Sequence, residues 1–76
     1  MTRKERQVIL DHMTTDAYWL EVFEAEGSRK DFVRHVTNLL RLEHLADALG
    51  IEYTYEIATR TDPLYGRIEY REYKEV

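Results

Sequence analysis

Three histidines, fifteen carboxylates and a single serine are the first candidates for chemistry in this chain. His12, His35 and His44 have no metal-ligand spacing. A zinc pair on one helix face needs a separation of three or four residues. His35 and His44 are nine apart, about 180° around a helix, so they cannot share an ion. His44 and Asp47 have the right spacing, but two ligands do not close a tetrahedral site. Cysteine is absent, which removes thiolate ligation and any disulfide framework.

Nucleophilic and acid–base catalysis fare no better. Ser28 lies in no Gly-x-Ser-x-Gly elbow and reads as a helix cap. Carboxylate pairs such as Glu24 with Glu26, or Glu52 with Glu56, need a desolvating cleft to become acid and base. A chain of 76 residues has little volume for one. Gly27, Gly50 and Gly66 all fall at expected turns or caps, so no phosphate-cradling loop forms. The expectation is a non-enzymatic protein without metal or cofactor.

Charge points toward a macromolecular partner. The net charge is -4, which disfavours general nucleic-acid binding. The acids are concentrated: Asp16, Glu21, Glu24 and Glu26 occur with no intervening base. Lys30, Arg34 and Arg41 follow, and on a helix they project within about 40° of one another. Two functional readings result. The preferred one is a regulator or inhibitor that occludes a basic, nucleic-acid-binding surface of another protein, with Asp16, Glu21, Glu24 and Glu26 as contacts. Phage-encoded inhibitors of host or defence proteins offer an analogy of size and charge. The alternative is a winged-helix-like DNA binder. It would use Lys30, Arg34 and Arg41 on the recognition helix and Arg60, Arg67 and Arg71 along the wing. A structural or assembly subunit is the third reading.

Tyrosines extend the interface reading. Tyr65 falls at an expected hairpin tip, and Tyr73 shares the outward phase of Glu69 and Arg71. Exposed tyrosines beside charges suit protein interfaces, because they bury large area at low entropy cost.

The elements that carry these residues are legible in outline. Thr2-Arg3-Lys4-Glu5 fits a capping box and predicts a helix from about Arg3 to His12. Thr14-Thr15-Asp16 reads as an interruption, since these side chains favour helix starts. Ala17–Glu26 reads as a second helix closed by Gly27, or as a strand. Ser28 to Gly50 is the clearest helix, with Leu39, Leu40, Leu42, Leu45, Ala46 and Leu49 apolar. Its apolar face drifts along its length, which predicts different neighbours at its two ends. Glu43 is expected in solvent.

Ile51 to Val76 alternates apolar and polar residues around Thr61-Asp62-Pro63-Leu64-Tyr65-Gly66, a β-hairpin pattern. Its dry face is expected to hold Ile51, Tyr53, Tyr55, Ile57, Ile68 and Tyr70. The expected fold is α+β: two or three helices packed on a C-terminal antiparallel hairpin. The alternative is α-β-α-β-β with a three-stranded antiparallel sheet. A lone hairpin has two open edges, which invite pairing with a partner strand or with a second copy as a homodimer. No stretch is apolar for long enough to act as a signal peptide or membrane span, so the sequence predicts a cytoplasmic protein.

Overall fold

Thr2 starts the first helix as its capping box requires. Its Oγ1 accepts the Glu5 N–H at 3.1 Å, and the Glu5 carboxylate accepts the Thr2 N–H at 2.9 Å. In the computed structural model, which describes residues 1–76, this helix does not stop near His12. α1 runs unbroken over Arg3–Glu26. The expected break at Thr14-Thr15-Asp16 is absent because all three side chains bond elsewhere. Thr15 Oγ1 donates to the Asp11 carbonyl at 3.0 Å. Thr14 Oγ1 accepts the Tyr73 N–H at 2.8 Å, and Asp16 meets His35 Nδ1 at 2.8 Å. None competes for the N–H groups of its own turn, and no Gly or Pro forces a stop. Ala17 to Glu26 is therefore the second half of α1, neither a separate helix nor a strand.

Gly27 ends α1 in the left-handed region at φ 81°, and the Gly27 and Ser28 N–H groups fold back on the carbonyls of Glu24 and Phe23. α2 follows at once over Arg29–Ala48. Ser28 occupies its N-cap position without capping. Its hydroxyl donates to the Asp31 carboxylate at 2.7 Å instead of accepting a backbone N–H.

The hairpin comprises β1, Tyr53–Asp62, and β2, Gly66–Glu75. They pair antiparallel without a bulge from Tyr53↔Glu75 to Asp62↔Gly66. Asp62 Oδ1 fixes the turn by accepting the Leu64 and Tyr65 N–H groups at 2.8 and 3.0 Å. The fold is thus two helices followed by a two-stranded antiparallel hairpin. Neither the three-helix version nor the three-stranded sheet forms.

The dry face is where the structure departs furthest from expectation. Ile68, Tyr70 and Tyr73 are all buried, yet Tyr70 and Tyr73 are three apart on a regular strand and point to opposite faces. Near the tip, Ile68 and Tyr70 pack on Tyr18 and Val22 of α1. Near the base, the opposite face carries Tyr73 into a cluster with Leu10, Met13, Ala17, Leu39, Ala46 and Ile51. α1 therefore crosses the hairpin from one face to the other. Tyr55 and Ile57, expected in the core, are 45% and 62% exposed. Tyr73, expected outward, is 2% exposed. The crossing lies at the outer edge of β2, where Thr14 takes the Tyr73 N–H. Of the two strand edges, β2's is bonded to a helix there and β1's stays open. No helix is long and apolar enough to cross a membrane.

Candidate protein-binding surface

β2 meets both helices along a cleft lined by Ala17, Leu20, Glu21, Leu39 and Arg71. The helical repeat of α1 sets Ala17, Leu20, Glu21 and Glu24 on neighbouring turns. A shallower depression continues past Glu21 to Glu24, Ala25, Arg67, Ile68 and Glu69. On α2, Glu43 borders the same region and accepts the Tyr73 hydroxyl at 3.3 Å. Asp47, one turn further, lies beside Tyr53.

Arg71 is the cation at the centre of this arrangement. Its guanidinium carbon stands 4.6 Å from the Tyr55 ring centroid, and the charges of Glu21 and Glu43 both act on it. Electrostatics follow from that geometry. Burial holds the Glu21 carboxyl above its ordinary range, and Glu24 adds to this against the pull of Arg71. Burial also raises the Tyr73 hydroxyl; Arg71 opposes that rise and Glu43 reinforces it. Tyr53 is raised by burial and then by Asp47 and Glu43.

The raised Glu21 carboxyl gives a prediction with a definite sign. Its contribution to stability is fully present below the unfolded pKa and is lost as pH rises through the raised folded value. Glu21→Gln should therefore lift the midpoint of thermal unfolding by about a degree or two at neutral pH, the cleft being partly solvated. The difference should vanish once the pH falls below the usual carboxylate range. Melts followed by circular dichroism across that range check it.

The residues singled out in the sequence are placed unevenly. Glu21 is half-buried in the cleft, and Glu24 and Glu26 are exposed near the end of α1. Asp16 faces the other helix and is engaged by His35, whose ring stacks on Phe23 at 5.3 Å. Tyr65 is half-buried against the Tyr18 cluster. Tyr73 is core, so it presents no surface to a partner.

Lys30, Arg34 and Arg41 are exposed on α2. Lys30 and Arg34 look away from the direction of Leu39, which faces α1, while Arg41, at the end of this row, borders a depression between the helices with His12 and Asp16 of α1. The hairpin arginines do not join it. Arg67 pairs with Glu69 at 3.2 Å, Arg60 lies over Tyr18 at 4.8 Å, and Arg71 sits among the cleft acids. With two helices rather than three, the winged-helix outline also loses its recognition-helix geometry.

Glu69 in the cleft, Glu43 at its border and Asp47 beside Tyr53 are acids that sequence reasoning did not assign to a binding surface. Their signal was weak: Glu43 and Asp47 share an i, i+4 face of α2, and Glu69 and Arg71 share a strand face. No group of three or more His, Asp or Glu side chains could hold a metal ion. No protein-family model matches the chain, and no curated protein or solved structure matches it significantly.

Proposed function

We propose that this protein is a non-enzymatic regulator or inhibitor that binds another protein and covers a basic, nucleic-acid-binding surface on it. One observation carries the reading. Glu21, Glu24 and Glu69 line an open cleft that Glu43 borders, and its two cations are already engaged, Arg71 by Tyr55 and its neighbouring acids and Arg67 by Glu69. Beside the cleft, Tyr55 and Ile57, the cross-strand partners of Tyr73 and Arg71, add exposed apolar surface. Acidic groups beside apolar surface complement a partner that presents Lys or Arg on an amphipathic element. Complementary charge of this kind sets encounter rate and specificity. Glu26, exposed at the end of α1, extends the acidic rim.

Affinity capture with the intact chain from its native host identifies the partner, and titration of that complex tests the surface. Replacing Glu21, Glu24 and Glu69 together by lysine should weaken the complex by at least about tenfold and flatten its dependence on salt. Reversing Lys30, Arg34 and Arg41 should leave both unchanged. Equal affinity and equal salt slope for the Glu21, Glu24 and Glu69 variant would refute the assignment. Binding of duplex DNA at low salt, lost on reversing the α2 row, would replace it with the nucleic-acid reading.

A further inference from the structure

β1 is a ten-residue strand with an open edge. The Val76 N–H bonds the Glu52 carbonyl at 3.0 Å, so even-numbered β1 residues bond to β2. By the antiparallel alternation, Tyr53, Tyr55, Ile57, Thr59 and Thr61 turn their N–H and C=O groups outward. Charged Glu56 and Arg60 flank the edge, but several of its usual protections are missing. It has no lysine, no proline and no bulge, and Ile57 stands exposed at its centre.

We propose that this edge is occupied by a second copy of the chain. Two β1 strands pair antiparallel about a twofold axis at Ala58 and form a four-stranded sheet in the order β2-β1-β1-β2. Charge selects the axis. The outward row must face itself, so residues of like parity oppose one another. An axis at Ala58 sets Glu56 of each copy opposite Arg60 of the other, with Ala58 opposite Ala58 and Ile57 opposite Thr59. An axis at Glu56 opposes two glutamates, and one at Arg60 opposes two arginines. An axis at Thr59 sets Glu56 against Asp62, and one at Ile57 leaves Glu56 facing Ala58. Like charges directly opposite destabilise a ladder, and opposite charges stabilise it. Arg60 lies over the Tyr18 and Tyr70 rings at 4.8 and 5.8 Å and Glu56 pairs with Lys74 of its own chain, so the cross-axis pair adds to contacts that each side chain already makes. The geometry is isologous and therefore closed, ending at two chains.

The chain's lack of cysteine makes the test direct. Sedimentation equilibrium of the wild type should give twice 9.2 kDa at high concentration, with reversible dissociation on dilution. Ala58→Cys should oxidise to a covalent dimer, because a directly opposed non-hydrogen-bonded pair brings its Cβ atoms to about 4.5–5.5 Å, and a disulfide closes with a small adjustment. Ile57→Cys should not, since its symmetry mate lies on the diagonal at about 7–8 Å. Glu56→Arg and Arg60→Glu should each raise the dissociation constant about tenfold, and the double exchange should bring it back to within a few-fold of wild type. Circular dichroism confirms that each variant is folded.

A monomer at every concentration, a double exchange no tighter than the single ones, or preferential cross-linking of Ile57→Cys would each overturn the proposal. Lysine at the cleft glutamates Glu21 and Glu24 should leave dimerisation unchanged, so failure of this proposal and failure of the cleft assignment are separate results.

Discussion

Leu10→Ala should lower the unfolding free energy by about 2–5 kcal/mol. Leu10 and Met13 are the two large side chains with no exposed surface, and only 11 of 76 residues are buried rather than partly or fully exposed. So small a core gives each member a large share. Leu10 touches a cluster drawn from every part of the fold: Met13 and Ala17 of α1, Leu39 and Ala46 of α2, Ile51 before β1, and Tyr73 of β2. These elements converge from different directions, which limits their collapse into the vacated space. A domain of this length typically holds about 4–11 kcal/mol of stability, at about 0.05–0.15 kcal/mol per residue. The variant should therefore be marginal or unfolded at 37 °C. Urea unfolding followed by far-UV circular dichroism measures the loss, and an unchanged slope assigns it to stability rather than to the denatured state. A loss below about 1 kcal/mol would mean that this cluster is not the centre of the fold.

The second large effect comes from a single hydroxyl. Thr14→Val keeps the shape of the side chain and removes the acceptor of the Tyr73 N–H. Tyr73 is buried, so its amide would face neither water nor a partner strand. An orphaned buried donor costs about 1–3 kcal/mol. Thr14→Ser retains the oxygen and should recover most of the loss. Amide exchange provides the local readout. In the wild type the Tyr73 amide should be protected, while those of Tyr55 and Ile57 on the opposite edge should exchange rapidly in monomeric protein. In Thr14→Val the Tyr73 protection should fall. A stability within a few tenths of a kcal/mol of wild type would show that the contact contributes nothing net.

The same hydroxyl explains where the sequence could be read and where it could not. The capping box at Thr2 and Glu5, the stops at Gly27 and Gly50, and the turn at Asp62 are local, and they appear in the structure near their predicted positions. Alternating residues announced the hairpin for the same reason. Thr14, Thr15 and Asp16 misled because propensity knows only neighbours. Their partners include Tyr73 and His35, 59 and 19 residues away. Tyr73 misled in the same way. A period of two gives one face of a strand, but it does not say that the supporting helix changes face between Tyr70 and Tyr73. The cleft was half legible. Glu21 and Glu24 stood out as an acid run, whereas Glu43 and Glu69 reach it only through packing of distant segments.

The crossing of α1 over the hairpin has a consequence for alignment of the strands. In a hairpin with a single dry face, sliding one strand by two residues restores the pattern and leaves a near-equivalent pairing. Here such a slide would carry the changeover point away from Thr14. One buried tyrosine would be driven into solvent and a charged neighbour drawn under the helix. A slide by one residue would invert both halves together. The two ends of the sheet are thus seated from opposite sides, like a key held by wards on both edges, and only one alignment satisfies both.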